Sequence, residues 1–485
     1  MFLRQLTVEN FKGYRDKHVA EFNKNLCYFV GDNNSGKSTL LEAIEFLKGG
    51  LPTTKSLKDI QNKSSSEPVT VTAKFKGNIK DVVNDFSQSK YLGFVFEEDG
   101  EETLVARRSS EVIKIKQNSK DVELNIKKIT LWNEKTNQFE NPAGIDTVFK
   151  TLFEAQFVWA DTNPDDIADF GSTKICGRLL TAAIGDFFTS DQWEEFTDVH
   201  EKTFSTGTDS LSSRTKDLEQ KIQKIMNEQH GTAAVSFNFQ LPDPSSFIKS
   251  GGINIDDGID TSSKQKGTGM QRALALALIQ LYADELRRHP VDPLKLKPLF
   301  LFIDEPETFL HPLAQNKFLE ALNVIATAQQ VFVTTHSPYL LRTFNKSAHS
   351  LFIFERTTTT KKFSESSALG LFGSSSPTWG EINYFAYNMP SVEFHNELFG
   401  FVQAKAISIN TNNEKEHDFD QYLVSQSLTQ PKQWIREKAG IAQTPQLRTL
   451  QTYIRNYIHH PENSSNVTYT SEELARSIKE MIPLV

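Results

Sequence analysis

Cysteine is scarce in this sequence: only Cys27 and Cys176 occur among 485 residues, and they do not form a C-x-x-C pair. The scarcity excludes a disulfide framework and a cysteine-based structural zinc site. No stretch of apolar residues is long enough for a membrane span, and the amino terminus lacks the apolar core of a secretory signal. We therefore expect a cytoplasmic protein with reduced thiols and no membrane partner.

Positive charge is not in excess either, since the formal net charge is -8 at pH 7. This balance argues against a protein coated with basic residues for wholesale nucleic-acid binding, although it leaves room for a local basic groove. With 485 residues the chain is long for a single domain. Its length and ordinary apolar content predict two or three folded domains, each with its own core.

The most informative motif is the G-x-x-x-x-G-K-S run from Gly31 to Ser38, which follows the apolar strand pattern 26–30 and opens a helical pattern. This is the context of a phosphate-binding loop, in which backbone N–H groups and a helix amino terminus surround phosphate groups. We expect Lys37 to reach the β- and γ-phosphates of ATP and Ser38 to ligate Mg2+. The predicted ATP-binding residues of this loop are Gly31, Asn33, Asn34, Ser35, Gly36, Lys37, Ser38 and Thr39.

A second apolar strand pattern, 299–303, ends in the acidic pair Asp304 and Glu305. Buried carboxylates are costly without a cation, so this pair predicts a functional site. We expect Asp304 to hold magnesium and Glu305 to act as the catalytic base that orients and deprotonates the attacking water. The strand pattern 331–333 leads to His336, which suits a sensor of the γ-phosphate.

A third element, the segment Gly267 to Arg272, precedes an apolar helical pattern. Glycines that open a helix predict another anion-binding terminus. A glycine-rich turn before a helix is common, but this one lies upstream of the acidic pair and downstream of the phosphate-binding loop. The candidate ATP-contacting residues of this segment are Gly267, Thr268, Gly269 and Gln271.

With these motifs the chain resembles the ABC-type ATPases of the RecF, SMC and OLD group over about residues 1 to 355. The resemblance is carried by LTVENFKGY, GDNNSGKSTLLEAI, DEPETFLHP and THSPYLL, of which the last two are similar to the OLD branch. It implies an α/β P-loop NTPase with a mixed sheet, an antiparallel β lobe and a helical insertion. It also implies a homodimer or higher homo-oligomer, in which the Gly267 segment of one head closes on ATP held by the other. Gln156 is the candidate glutamine-loop residue.

Strand-like alternation at 3–8, 69–75, 112–115 and 122–126 predicts an antiparallel lobe beside the nucleotide core. Helical patterns dominate from about 165 to 235 and again toward the carboxyl terminus. The predicted organisation is an ATPase domain over 1–355 with an insertion at about 165–235, a linker over 356–378 and a small all-α domain over 379–485.

OLD-type enzymes usually continue into a Toprim nuclease, which needs a glutamate at a strand end and a later D-x-D pair. Glu355, Asp418 and Asp420 match these residue types. However, no apolar strand leads to the pair, and the surrounding NEKEHDFDQY predicts a solvated loop. We therefore expect a different carboxyl-terminal domain.

Near the carboxyl terminus, Arg455 and His460 lie at the end of an amphipathic helical pattern that Pro461 interrupts. The spacing resembles the R-x4-6-H motif of HEPN ribonucleases, whose active sites are composites of two protomers. Metal-independent RNA cleavage needs a base for the 2′-OH proton and a cation for the charged phosphorane. The resemblance assigns these roles to His460 and Arg455, with Asn456 as an orienting residue.

His459 is the neighbour of the predicted base, and the pattern 471–481 predicts a helix that packs on this domain. Upstream, Glu393 and His395 are weaker candidates for the same cleft. A chance match to so short a motif remains the alternative, because arginine and histidine at this spacing occur in many proteins.

The leading functional hypothesis is an ATP-hydrolysing sensor of an anti-phage or toxin system that controls the HEPN-like ribonuclease, with RNA such as tRNA as substrate. DNA or a phage protein is the candidate trigger. The alternatives are a regulatory ATPase that docks a separate effector nuclease, and a RecF-like DNA-repair ATPase. The sequence leaves the trigger and the sign of ATP control open.

Overall fold

The structure is a computed structural model that describes residues 1–85, 89–117, 120–159, 168–171, 174–241, 244–288, 298–309, 312–341, 344–356, 361–365, 369–438 and 441–485. The chain divides into two compact units. One is formed by Met1–Ala160 with Val291–Val485, and the other by Asp161–Pro290.

Both units contain strands and helices. The strands are β1 (Phe2–Glu9), β2 (Lys17–Glu21), β3 (Leu26–Gly31), β4 (Thr70–Lys76), β5 (Phe96–Glu98), β6 (Glu101–Ser109), β7 (Ile113–Gln117), β8 (Lys120–Leu124), β9 (Thr130–Asn133), β10 (Gln138–Glu140), β11 (Glu154–Val158), β12 (Asn254–Asp256), β13 (Asp260–Ser262), β14 (Leu299–Asp304), β15 (Gln330–Thr335), β16 (Ser350–Arg356), β17 (Lys361–Glu365), β18 (Lys432–Trp434), β19 (Glu437–Lys438), β20 (Ile441–Ala442) and β21 (Gln446–Arg448). The helices are α1 (Lys37–Gly49), α2 (Leu57–Ile60), α3 (Ile79–Asp85), α4 (Ile145–Leu152), α5 (Ile175–Ile184), α6 (Asp191–Glu201), α7 (Leu211–His230), α8 (Pro244–Lys249), α9 (Thr268–Arg288), α10 (Pro312–Ala328), α11 (Trp379–Tyr387), α12 (Val392–Ile409), α13 (Glu416–Ser425), α14 (Leu450–His459) and α15 (Ser471–Met481). Within the described ranges, no helix combines the length and apolar character that crossing a membrane requires.

A mixed sheet with the strand order β11-β14-β15-β3-β16-β17 forms the centre of the first unit. The five strands from β11 to β16 run parallel, and β17 is antiparallel to β16. All residues of β3, β14 and β15 are buried, as expected for parallel strands covered on both faces. The carboxyl ends of these three strands therefore meet at one edge of the sheet, where open α/β sheets place their ligands.

An antiparallel sheet with the strand order β10-β9-β6-β4-β1-β2 packs beside the central sheet. Its inward residues, such as Leu6 and Val71, share one apolar core with α1 and with Phe300 and Phe332 of the central sheet. The predicted strands 3–8 and 69–75 correspond to β1 and β4. The α/β fold with a mixed sheet and an antiparallel lobe is thus confirmed.

The second unit contains helices α5 to α9 and the short β12–β13 ladder. Its longest helix outside α9 is α7, which carries no buried residue. Leu218 and Ile225, which are seven residues apart on this helix, are 51% and 53% exposed. Their periodicity therefore marks an apolar stripe on the surface of this helix.

The carboxyl-terminal part of the first unit is helical and packs its own apolar core from α12, α13, α14 and α15. Short strand pairs, β18 with β21 and β19 with β20, lie between α13 and α14. The solvated loop predicted around Asp418 is wrong, because residues 416–425 form α13 and Asp420 is completely buried. The many charged residues of this segment predicted a loop, but they lie on an amphipathic helix.

Candidate functional site

The loop between β3 and α1 has the backbone conformation of a phosphate-binding loop. Gly31, Asn34 and Gly36 have positive φ values of 139°, 61° and 112°. A Cβ atom on Gly31 would overlap the carbonyl oxygen of Phe354, and one on Gly36 would lie 2.7 Å from the hydroxyl of Tyr14. The two glycines are therefore required both by conformation and by the closeness of neighbouring atoms.

Lys37 begins α1 and turns its ammonium group back over the loop. Its Nζ atom donates to the carbonyl oxygens of Gly31 at 2.9 Å and Asp32 at 3.0 Å. Burial lowers the pKa of Lys37 to about 8, although the Glu305 and Asp304 carboxylates oppose this shift. In the part of the chain that the structure describes, no carboxylate lies within ion-pair distance of this ammonium. Its charge is thus available to an anionic ligand.

Ser38 and Asp304 meet at the edge of the sheet. The Ser38 hydroxyl lies 2.9 Å from Oδ1 and 3.2 Å from Oδ2 of Asp304. The Thr334 hydroxyl on the neighbouring strand β15 also donates to Asp304 Oδ1. A serine hydroxyl and a carboxylate are oxygen ligands of the kind that Mg2+ prefers. The pair therefore fits a magnesium ion.

Glu305 and His336 complete this edge. The backbone N–H of Glu305 donates to the carbonyl and hydroxyl oxygens of Thr334, both at 3.1 Å. His336 Nε2 lies 2.9 Å from Glu305 Oε1 and 2.8 Å from Lys37 Nζ. One ring nitrogen cannot accept a hydrogen bond from Lys37 and donate one to Glu305 at the same time. The histidine therefore has two alternative partners within the site.

Glu307, which motif reasoning did not single out, holds the backbone that carries His336. Its Oε1 atom accepts hydrogen bonds from the Thr335 hydroxyl at 2.8 Å and from the backbone N–H groups of His336 and Ser337. Its Oε2 atom is buried without a hydrogen-bond partner among the described residues, and burial raises the pKa of this carboxyl. The only signal in the sequence was a second glutamate just after the acidic pair.

The environments of the remaining loop residues show whether a polyphosphate fits the loop. The Ser35 hydroxyl is completely buried and has no hydrogen-bond partner among the described residues. Thr39 is buried in the first turn of α1, whereas Asn33 and Asn34 are exposed at the top of the loop. A buried hydroxyl with spare hydrogen-bonding capacity, the Lys37 ammonium and a helix amino terminus together suit a phosphate ligand.

Comparison with known proteins agrees with this geometry. A sequence model of the AAA ATPase domain family matches residues 1–166 and 177–341. The chain belongs to this family. It is 26% identical over 356 residues to the Old nuclease of Escherichia phage P2, a match that covers 70% of this chain and 57% of that protein. It is 25% identical over 398 residues to the DNA replication and repair protein RecF of Streptococcus agalactiae, covering 74% of this chain and 100% of RecF.

Among solved structures, the SMC head bound to the C-winged helix domain of ScpA aligns with 75% of this chain and 98% of its own length, at 16% identity and a TM-score of 0.42. The expected P-loop ATPase is confirmed by the AAA ATPase match, and the two sequence relatives support an ATPase of the OLD/RecF type. The AAA ATPase spans little more than half of the Old nuclease, so the match does not cover that whole protein.

The Gly267 segment of this AAA ATPase lies in the second unit, where α9 begins at Thr268. Side chains built on Gly267 and Gly269 would meet open space. Gln271 is buried, and its amide nitrogen donates to the carbonyl oxygens of Lys264 at 3.1 Å and Lys266 at 3.0 Å. The glutamine thus fixes the loop before α9, while the two glycines leave the helix start open.

Gln156 does not have the position expected of a glutamine-loop residue. It lies within β11, opposite Leu301 of β14, and is completely buried. The carboxyl end of that strand is reached only at Val158. Because Gln156 is inside the sheet and not in the loop beyond it, the glutamine-loop hypothesis for this residue is wrong.

The basic residues predicted for the carboxyl-terminal site gather at the end of α14. Arg455 is half-buried, and its guanidinium lies 5.9 Å from the centre of the Phe399 ring. His460 caps the helix, lies near Trp434 and contacts Glu462 Oε1 at 3.2 Å. Within the described residues no hydrogen bond joins Arg455 to His460. Arg455 thus neighbours Phe399 of α12, whereas His460 neighbours Trp434 and Glu462.

Burial lowers the pKa of His459, and the nearby charges of Arg455 and His460 lower it further. Asn456 is buried, its Oδ1 atom lies 3.4 Å from Arg455, and its Nδ2 atom has no hydrogen-bond partner among the described residues. Asn456 thus contacts Arg455, and its role as an orienting residue stays a prediction.

The weaker candidates Glu393 and His395 have different environments, and the assignment of Glu393 to the cleft stays a prediction. Glu393 is exposed, whereas His395 is completely buried and pairs with the Ser477 hydroxyl at 3.0 Å. Burial lowers the pKa of His395 to about 4, so the ring is neutral at physiological pH. The hypothesis that His395 faces a substrate cleft is wrong, because its apolar helical surroundings enclose it.

Proposed function

We propose that this protein is an ATP-driven switch of a phage-defence or toxin system whose output is RNA cleavage by its carboxyl-terminal helical part. The observation that carries the proposal is the packing of α11, the first helix of that part, on β3, β16 and the Pro338–Leu341 turn of the ATPase. Burial, and secondarily the Glu307 carboxylate, raises the pKa of Tyr387 on this helix. The helical part thus adjoins the segment that positions His336.

In the ATPase step, ATP with Mg2+ supplies the phosphoanhydride bond that is hydrolysed. Lys37 and the N–H groups of the loop would bind the phosphate charge, and Ser38 with Asp304 would hold the magnesium ion. Glu305 would orient water and take its proton, and His336 would exchange its contact with Lys37 for a contact near the γ-phosphate. This assignment gives each residue at the sheet edge a separate task.

In the RNA step, His460 would take the proton of a 2′-hydroxyl, and Arg455 would stabilise the charge that develops on the phosphate. The exposure of His460 and the basic cluster with His459 support this proposal. Because Arg455 and His460 have different neighbours and no hydrogen bond joins them within the described residues, a second protomer would complete the site. Dimerisation around ATP and an RNA site shared between protomers would both require two copies of the chain.

The experiment that tests this proposal compares wild type, His460→Ala and Arg455→Ala for cleavage of total RNA in cells and by purified protein. Both variants should lose cleavage and keep ATP hydrolysis, because neither residue lies at the sheet edge. The matched control is His417→Ala, an exposed histidine of α13 in the same helical part. Cleavage by His460→Ala at the wild-type rate would remove the ribonuclease assignment.

A second candidate function is control of a separate effector nuclease docked on the helical part, and it is favoured by the absence of a hydrogen bond between Arg455 and His460 among the described residues. Purified wild type would then hydrolyse ATP but leave RNA intact. A third, a DNA-repair ATPase, rests on the match to the full length of RecF. It predicts DNA binding by the purified protein that weakens steeply with added salt.

A further inference from the structure

Strand β17 brings a cationic side chain to the phosphate-binding loop from a distant part of the chain. Its first residue, Lys361, pairs with Arg356 of β16, and its backbone N–H donates to the carbonyl oxygen of Gly13 at 3.2 Å. Alternate residues of a strand share a face, so Lys361 and Phe363 point the same way. Phe363 packs edge-on against Tyr14, with ring centres 5.7 Å apart.

The aliphatic stem of Lys361 occupies a notch between two glycines. A Cβ atom on Gly13 would overlap the Lys361 stem, and one on Gly36 would lie 2.9 Å from its Cδ atom. Gly36 belongs to the phosphate-binding loop, and its carbonyl oxygen accepts a hydrogen bond from Tyr14 at 3.0 Å. The loop is thus braced from outside by one lysine stem and one tyrosine hydroxyl.

The ammonium group of Lys361 reaches the top of the same loop. Its Nζ atom donates to Asn34 Oδ1 at 3.1 Å. Asn34 has a left-handed backbone conformation with φ of 61°, which costs energy for most residues and is tolerated by asparagine. A hydrogen bond to its side chain therefore helps to hold the loop in the conformation that presents its N–H groups to phosphate.

We propose that Lys361 is a positioning residue for ATP binding, which keeps the phosphate-binding loop preorganised and adds positive charge at its rim. The proposal rests on the ATP site proposed above and adds a residue from beyond the ATPase motifs. Preorganisation lowers the ordering cost of binding, so its loss should weaken nucleotide affinity. Glu305 and His336 follow β14 and β15 and take no part in this brace, so the chemical step should proceed normally once ATP is bound.

The test measures steady-state ATP hydrolysis by the full-length protein. Lys361→Ala removes the stem and the charge, Lys361→Met keeps most of the stem, and Lys361→Arg keeps the charge. We expect Lys361→Ala to raise KM for ATP about tenfold with kcat within about twofold of wild type. Lys361→Met should show a smaller rise, and Lys361→Arg should restore KM to within about twofold of wild type.

Lys362→Ala is the matched control, because this exposed neighbour points to the opposite face of β17. It should leave KM and kcat unchanged. If the wild-type protein hydrolyses ATP and both Lys361→Ala and Lys361→Met have its KM, the positioning role of Lys361 is overturned. The ATPase proposal would still stand. Absence of ATP hydrolysis by wild type would instead overturn the ATPase proposal together with this one.

Discussion

At the scale of single residues, the sheet edge has one histidine nitrogen within reach of two partners of opposite charge. His336 Nε2 lies close to both Lys37 and Glu305, and Glu307 fixes the backbone that carries the ring. Phosphate bound near Lys37 would compete for the ammonium group and leave the ring to Glu305 or to the ligand. The position of the His336 ring therefore depends on whether the Lys37 ammonium contacts it and on the backbone hydrogen bond to Glu307.

Glu307→Ala should lower kcat for ATP hydrolysis by about tenfold or more, because His336 loses the carboxylate that holds its backbone N–H. It should also lower the free energy of unfolding by about 1 to 3 kcal/mol, since three donors lose a buried acceptor. Glu307→Gln keeps an acceptor oxygen and should be milder. Steady-state hydrolysis and urea unfolding check both effects, with exposed Glu320→Ala of α10 as control. Unchanged kcat in Glu307→Ala would contradict the anchoring role.

ATP affinity should fall as pH rises through about 8, where buried Lys37 loses its proton in the free protein. Above this value each pH unit should weaken binding up to about tenfold, until the pKa of Lys37 in the complex is reached. Stability changes in the opposite direction. The folded-state pKa lies below the ordinary value of 10.5, so the unfolded chain binds more protons in this interval and stability rises with pH.

Binding of a fluorescent ATP analogue, measured across this pH range with and without Mg2+, checks the prediction. Unfolding measured in parallel separates the loss of affinity from any loss of folded protein. Constant affinity across the interval would show that the Lys37 ammonium does not bind the phosphate groups.

At the scale of elements, Asp420 connects α13 to the start of α14. Its Oδ1 atom accepts hydrogen bonds from the backbone N–H and hydroxyl of Thr449 at 3.0 and 2.7 Å, and Oδ2 accepts one from Gln430 at 2.6 Å. Thr449 is the residue that caps α14. The carboxylate thus fixes the position of the helix that carries Arg455 and is fully used in this role.

Asp420→Ala should lower the free energy of unfolding by about 3 kcal/mol, because a buried capping residue loses its acceptor. Asp418→Ala, on the same helix but only partly buried, should stay within about 1 kcal/mol of wild type. Chemical denaturation of full-length protein measures both. Equal stabilities of the two variants would contradict the assignment of Asp420 as a connector between helices.

The motifs that predict the nucleotide edge each lie at the junction of a buried strand with a loop, and glycine spacing and apolar runs reveal such junctions. The partners of these motifs come from far along the chain and leave no local signal. Lys361 lies within a segment rich in serine and threonine that predicts a linker, yet it forms part of β17. Asp420 resembled a solvated aspartate because its partners Thr449 and Gln430 follow later in the sequence.

At the scale of the whole molecule, the Gly267 segment belongs to the second unit, whereas the phosphate-binding loop belongs to the first. Gly267 and Gly269 leave the start of α9 open, and in the first unit the buried Ser35 hydroxyl has no hydrogen-bond partner among the described residues. The resemblance to the RecF, SMC and OLD group implies that two such surfaces join around ATP. Hydrolysis would then set the lifetime of the dimer.

Glu305→Gln should bind ATP but fail to hydrolyse it, so the protein should accumulate as a dimer when ATP and Mg2+ are present. Sedimentation velocity with and without ATP measures this shift. Lys37→Ala, which removes the phosphate-binding cation, should stay at the oligomeric state seen without nucleotide. A sedimentation coefficient of Glu305→Gln that does not change with ATP would contradict ATP-dependent pairing.

The position of β17 also has a consequence for how this protein can be cut or recombined. A fragment ending at residue 355 would retain every ATPase motif, yet it would expose the edge of β16 to strand pairing with other molecules. It would also lack Lys361 and Phe363, which support the phosphate-binding loop. A transplantable ATPase module must therefore extend at least through Glu365, and natural exchange of carboxyl-terminal domains in such proteins should occur beyond that residue.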